Sequence, residues 1–188
     1  MKRISFFLIL LFNILYSNAY TDDKFKTWLD EFKLIAVKNG ISQKTVNIVM
    51  KDAKFLSKVI EYDRYQPEFY EDTFTYIKKR ASKDKVSKGM SLYNKEHLII
   101  KEIEKKFSVE KELLLALMGI ETNFGKYLGK MDIISSLSTL SFDKRRSEFF
   151  TNELLILLKL IDNKIINKNI LYGSWAGAFG NFQFMPST

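Results

Sequence analysis

The stretch Ser108-Val109-Glu110-Lys111-Glu112-Leu113-Leu114-Leu115-Ala116-Leu117-Met118-Gly119-Ile120-Glu121-Thr122-Asn123-Phe124-Gly125 decides the fold class. Ser108 is a natural N-cap. Glu110 and Glu112 fall in the first turn, where the helix dipole favours acids. Leu113, Leu114, Leu117, Met118 and Ile120 then predict an apolar helix with near-complete burial. Gly125 and Gly129 punctuate the chain after it. Upstream, Phe25, Trp28, Leu29, Phe32, Ile35 and Ala36 lie on one face of a helix that Gly40 stops. Ser42 caps a second helix carrying Val46, Val49 and Met50, and Pro67 makes Asp63 to Glu68 a connection. A helix near Thr73 to Arg80 follows, then a long one from Lys83 to Lys106 with Val86, Tyr93, Ile99 and Ile103 on its apolar face. Downstream, Ile133 to Leu140 reads as a short helix. Asp143 caps another that buries Phe149, Phe150, Leu154, Leu157, Leu158 and Ile161. Asn163 to Asn169 reads as a loop. With two Pro and eight Gly in 188 residues and no strand ladder, the fold class is all-α.

Composition narrows the chemistry. There is no Cys, which excludes disulfides, a thiol nucleophile, Cys-ligated zinc and a lipidated cysteine anchor. The single His97 cannot build a multi-His metal site, so carboxylates are the expected source of acid–base chemistry. Glu121 ends the apolar run. A carboxyl there is expected to be partly desolvated, which raises its pKa toward that of a general acid. The plainer reading is a helix-terminal Glu paired with a lysine or with backbone N–H groups. Glu110, Glu112, Glu148 and Glu153 read as surface or capping acids. Asp143-Lys144-Arg145-Arg146 reads either as a capped helix start with a solvated basic cluster or as an arginine fork for carboxylates. The small residues of Gly173-Ser174-Trp175-Ala176-Gly177-Ala178-Phe179-Gly180 permit close backbone approach, to a helix or to a ligand. Aromatics beside Ser174, Asn181 and Gln183 suit a sugar, which offers both apolar faces and hydroxyls.

The first residues read as a signal peptide over 1–19. Lys2 and Arg3 precede the apolar run Ile4 to Leu15, and Ser17-Asn18-Ala19 fits a cleavage site, with Tyr20 starting the mature chain. The run is shorter than a membrane span needs. Export to the periplasm is expected. Cleavage removes two cations and no acid, taking the formal charge from +8 to +6. Such a chain suits a polyanionic partner, whether wall polymer, anionic lipid or nucleic acid.

Four ordered blocks resemble the lytic murein transglycosylases of the membrane-bound B type. Asp63-Arg64-Tyr65-Gln66-Pro67-Glu68-Phe69 is similar to that family's Asp-Arg-x-Gln-Pro-Glu-Phe segment. Gly119-Ile120-Glu121-Thr122-Asn123-Phe124-Gly125 is similar to its catalytic block. Leu137-Ser138-Thr139-Leu140-Ser141-Phe142 with Arg145-Arg146 resembles the next block. Gly173 to Gly180 with Gln183-Phe184-Met185-Pro186-Ser187-Thr188 resembles its glycine-rich signature. The resemblance runs from about residue 25 to the end. It implies a lysozyme-like helical core that cleaves the β-1,4 bond between N-acetylmuramic acid and N-acetylglucosamine and leaves a 1,6-anhydro ring. By that match Glu121 is the catalytic acid and then base. Ser174 and Gln183 bond the sugars, Arg145 and Arg146 meet stem-peptide carboxylates, and Tyr76 lines the groove. Neither a metal nor another cofactor is implied. The implied partner is the glycan strand rather than nucleic acid, the chain acts as a monomer, and any envelope contacts are peripheral.

Phe179, Asn181 and Phe182 depart from common family choices, Phe182 most visibly. Family chains also continue past the Met-Pro-Ser block, so this sequence reads as C-terminally truncated. Its expected domains are the signal at 1–19, an N-terminal helical region at 20–106 and a partial lysozyme-like core at 107–188. Two other readings stand beside the enzyme. One is a peptidoglycan-binding remnant without turnover. The other is a membrane-surface protein that uses its positive charge and an uncleaved N-terminus.

Overall fold

The computed structural model describes residues 21–65 and 71–188. The expected signal peptide and the Gln66 to Phe69 part of the first block lie outside these residues. The described chain is all-α apart from one two-stranded antiparallel pair. In order it holds α1 (residues 21–38), α2 (Gln43–Val49), α3 (Ser57–Arg64), α4 (Thr73–Arg80), α5 (Lys83–Phe107), α6 (Lys111–Thr122), β1 (Met131–Asp132), α7 (Ile133–Phe142), α8 (Ser147–Asp162), a 3-10 turn at Lys168–Ile170 and β2 (Tyr172–Gly173). These gather into two compact units. One comprises Met1–Ile60 and Ile134–Asn169, the other Glu61–Ile133 and Ile170–Thr188. Both units are discontinuous in sequence, and the boundary expected at residue 106 falls inside the second.

In the first unit, the expected stripe of α1 is buried at Phe25, Leu29, Phe32 and Ala36, while Ile35 stays about half exposed (46%). Phe25 meets Phe142 edge-on with ring centres 5.5 Å apart, and Trp28 stacks on Phe32 at 5.3 Å. These contacts add geometric preference to the burial of large apolar rings. α7 is buried from Ile133 to Ser141. Its hydroxyls serve the neighbouring chain: Ser135 accepts the Lys54 N–H (3.1 Å) and Thr139 the Leu56 N–H (3.0 Å). Ser42 caps α2 as expected, accepting the Thr45 N–H at 3.2 Å. Asp162, at the end of α8, accepts from the Ser42 N–H, the Ser42 hydroxyl and the Thr45 hydroxyl. These bonds favour the charged form and hold its carboxyl below the ordinary range, the Ser42 side chain contributing most.

In the second unit, α4 coincides with the expected helix and is capped by Asp72. α5 runs from Lys83, with Ser82 as N-cap, to Phe107, and Glu96 interrupts it with non-helical angles (φ −112°, ψ 22°). The expected apolar face is corrected at two positions. Val86 and Ile99 are 61% and 55% exposed, and the buried positions are Gly89 and Ile100. The inward positions instead run through Gly89, Tyr93, Glu96, Ile100 and Ile103, a stripe on which Glu96 and a glycine stand where apolar side chains were expected.

Further corrections concern caps and burial. Ser108 does not cap α6. It is the left-handed C-cap of α5, because that helix reaches Phe107, and α6 starts three residues later behind Glu110. Glu104 of α5 instead accepts the Lys111 N–H at 3.2 Å. Asp143 does not cap α8. Arg146 holds that position at φ +59°, and Asp143 accepts the Arg145 N–H at 3.1 Å. α3 begins within the chain before Pro67 and takes in Asp63 and Arg64, which were expected in a connection. On α8, Phe149 is 48% exposed and Glu153, expected at the surface, is buried. The near-complete burial expected for α6 is also not found. Among its residues only Gly119 and Thr122 are buried, and Leu113, Leu117 and Ile120 are exposed.

Candidate active site

Glu121 is the penultimate residue of α6 and is exposed. The desolvation expected from the apolar run before it is absent, because the helix face that carries it is open among the described residues. What fixes its position is the residue that follows. Thr122 is fully buried, and its hydroxyl sits 2.8 Å from the Asn181 carbonyl and 3.1 Å from the Met118 carbonyl. The same oxygen accepts the Gly125 N–H at 2.9 Å. One side chain therefore holds together the helix end, the turn after it and the glycine-rich segment 59 positions later.

The turn itself is unusual backbone. Asn123, Phe124 and Gly125 are left-handed in succession (φ +50°, +60° and +80°). That conformation is unfavourable for a residue as bulky as Phe. Two glycines accommodate its ring. A Cβ on Gly119 would lie 2.7 Å from Phe124 Cζ, and one on Gly89 would lie 3.2 Å from it. The Asn123 and Phe124 N–H groups both reach the Met118 carbonyl, closing the helix C-terminus.

The glycine-rich segment is a compact turn system. β2 pairs with β1, with Met131 opposite Gly173 and Asp132 opposite Tyr172. The Ser174 N–H donates to the Ala178 carbonyl at 2.8 Å, and the Ser174 hydroxyl accepts the Ala178 N–H at 3.1 Å. A Cβ on Gly173 would meet the Ala178 carbonyl at 2.1 Å. At this position the small residue thus serves loop-to-loop approach, neither of the two alternatives drawn from sequence. Gln183 is left-handed (φ +48°), and its side-chain amide donates to the Leu128 and Gly180 carbonyls at 3.2 and 2.9 Å. Phe182 stacks on Phe184 at 5.9 Å, and Trp175 lies 6.4 Å from Tyr62.

Glu121, Tyr76, Ser174 and Gln183 belong to the second unit. Tyr76 is partly exposed, with the Arg80 guanidinium 4.2 Å over its ring. Arg145 and Arg146 belong to the first unit and are exposed, Arg146 lying 5.0 Å over the Phe150 ring. Among the described residues no group of three or more His, Cys, Asp or Glu could hold a metal ion.

Residues 24–188 match the family described as the transglycosylase SLT domain. The chain belongs to that family. It is 35% identical over 114 residues to membrane-bound lytic murein transglycosylase B of Escherichia coli strain K12. That alignment covers 60% of this chain and 32% of the relative. Among solved structures it is similar to SltB3 of Pseudomonas aeruginosa, in complex with NAG-NAM-pentapeptide, with a TM-score of 0.83 and 31% identity. The match covers 87% of this chain and 44% of SltB3. It is also similar to Slt35 of Escherichia coli in complex with bulgecin A, with a TM-score of 0.72 and 29% identity over 88% of this chain and 52% of that one. The chain therefore spans about a third of the curated relative and about half of these solved relatives. In this transglycosylase SLT chain, the parts that sequence reading missed are the Thr122 hydroxyl, the wedge made by Phe124 and the Tyr62–Trp175 pair. Thr122 is within the quoted block, but its partner Asn181 is too remote for any spacing rule.

Proposed function

We propose that the chain is a lytic transglycosylase acting on peptidoglycan, cleaving the β-1,4 bond between N-acetylmuramic acid and N-acetylglucosamine with formation of 1,6-anhydromuramic acid. The observation that carries this reading is the family match over residues 24–188, with the Glu121 block and the glycine-rich block tied together through Thr122. Solved relatives support the substrate and the product. SltB3 has been crystallised with NAG-NAM-pentapeptide and with NAG-anhNAM-pentapeptide.

In the proposed reaction Glu121 protonates the glycosidic oxygen as the C1–O bond breaks, and the N-acetylglucosamine portion leaves as an alcohol. The muramyl 6-hydroxyl then attacks its own anomeric carbon. Glu121, now a carboxylate, takes that hydroxyl's proton and is restored. The atoms balance without water, and one carboxylate does work that ordinary glycosidases divide between two. Exclusion of water decides between the anhydro ring and hydrolysis. Ser174 and Gln183 are proposed to bond the sugars. For Gln183 the carbonyl end of the amide is the group to do so, because its N–H donors serve the turn. Tyr76 is proposed as a groove wall, and Arg145 and Arg146 as partners of stem-peptide carboxylates. Export through residues 1–19 to the periplasm completes the proposal. No helix among the described residues is long and apolar enough to cross a membrane.

One observation favours a second reading, peptidoglycan binding without turnover: Glu121 is exposed rather than desolvated. Incubation with purified sacculi and mass spectrometry of the soluble products separates the two. Anhydro-muropeptides from the wild type and none from Glu121→Gln support the enzyme. Sacculus binding by both with no product from either supports the remnant.

A further inference from the structure

We propose that α4 and the first half of α5 form a docking face for anionic phospholipid bilayers. This inference is independent of the peptidoglycan reading, since a lipid vesicle contains no glycan.

Each of these two consecutive helices leaves large apolar side chains in the open. Phe74 and Ile77, one turn apart on α4, are 74% and 56% exposed. Val86 and Met90, one turn apart on α5, are 61% and 57% exposed. Val86 and Met90 also line an apolar cavity of about 380 Å³, shared with Leu115, Ala116 and Ile120 of α6. An exposed patch of this kind marks an interaction site more often than chance exposure does.

The charges around it choose the partner. Residues 71–90 carry six Lys and Arg against three acids. Glu71 is engaged by Lys79 and Arg80, and Asp84 by Lys88. Lys78, Lys83 and Lys85 have no carboxylate partner among the described residues. A hydrated polyanion would satisfy these lysines but offers no hydrocarbon phase in which the aliphatic side chains Ile77, Val86 and Met90 could bury. A purely apolar partner would leave the lysines unpaired. A bilayer with anionic head groups satisfies both sets, with phosphates at the lysines and hydrocarbon beneath the apolar side chains. The lysine stems can lie along that apolar surface while the ammonium groups stay at head-group level.

The test is co-sedimentation of the chain from Tyr20, the proposed mature form that lacks the apolar run Ile4 to Leu15. The vesicles are phosphatidylethanolamine with one-third phosphatidylglycerol, and separately pure phosphatidylcholine. The wild type is expected to bind the anionic vesicles and to be released as salt rises from about 50 mM to about 500 mM. Lys78→Glu/Lys83→Glu/Lys85→Glu is expected to bind at least about tenfold more weakly. Phe74→Ser/Ile77→Ser is expected to lose binding even at low salt. All these side chains are in the open or at the cavity rim, so circular dichroism should show helix content unchanged. Equal binding to neutral vesicles would overturn the proposal, as would unaltered binding by either variant. So would absence of vesicle binding combined with loss of sacculus binding in the lysine variant, which would give the face to a wall polymer. Concentration-dependent self-association abolished by Phe74→Ser/Ile77→Ser would give it to a second copy, and would also overturn the proposal.

Discussion

Replacing Thr122 by Val keeps its shape and removes the hydroxyl that ties α6 to the glycine-rich segment. The side chain is fully buried, so water cannot enter freely in its place. The change leaves the Gly125 N–H and the Asn181 carbonyl without their partner, at positions where the hydroxyl stood 2.9 and 2.8 Å away. A typical hydrogen bond contributes about 1 kcal/mol net, and a buried polar group left unpaired costs about 1–3 kcal/mol. Thr122→Val should therefore destabilise the second unit by about 2–3 kcal/mol. Thr122→Ser keeps the hydroxyl and deletes one methyl, which should cost about 1 kcal/mol. Urea unfolding followed by Trp175 fluorescence in a Trp28→Phe background measures both. Amide exchange at Gly125 should accelerate in Thr122→Val and much less in Thr122→Ser. If Val costs less than about 0.5 kcal/mol, or if Ser costs as much as Val, the hydroxyl is not what joins these segments.

Other expectations follow from the same geometry. Gly119→Ala places a methyl against the Phe124 ring, 2.7 Å from Cζ, and should cost about 1–3 kcal/mol in urea unfolding. Adding Phe124→Leu should recover part of that loss, and no recovery would separate the two sites. Asp162 has its carboxyl pKa lowered in the folded state by Ser42 and Thr45. The stability it contributes is then present above the unfolded-state pKa and lost as pH falls through the lower folded value. Asp162→Asn should lower thermal stability near neutral pH and flatten its decline in acid. An acid limb as steep as that of the wild type would remove Asp162 from the account.

Legibility varied with the kind of information each element needed. α4, α2 with its Ser42 cap, and the buried stripe of α1 follow from local pattern, because propensity, cap and period agree there. The apolar face of α5 did not follow, since Val86 and Ile99 are exposed while Gly89 and the charged Glu96 sit on the inward stripe, which hydrophobicity alone does not mark. Ser108 and Asp143 are good caps by composition, but neighbouring helices ran further, or started later, than any local rule could tell. Pro67 lies outside the described residues, and the connection read around it was drawn too wide, because α3 runs on to take in Asp63 and Arg64. Glu153 is buried on a stripe whose other members are Phe150, Leu154, Leu157 and Leu158, and its charge alone argued the opposite. Within the candidate site, Glu121 and Gly173 were visible as motif members. The exposure of Glu121, the left-handed run Asn123 to Gly125 and the Thr122–Asn181 link depend on tertiary arrangement and leave no periodic trace.

The central claim is that Glu121 cleaves the glycan without adding water. The measurement that tests it most directly is digestion of purified sacculi in water enriched in heavy oxygen, with mass spectrometry of the muramyl ends, for the wild type and Glu121→Gln. The account predicts anhydro-muramyl products from the wild type with no heavy oxygen, and no products from Glu121→Gln. Reducing muramyl ends carrying heavy oxygen, or undiminished cleavage by Glu121→Gln, would contradict it.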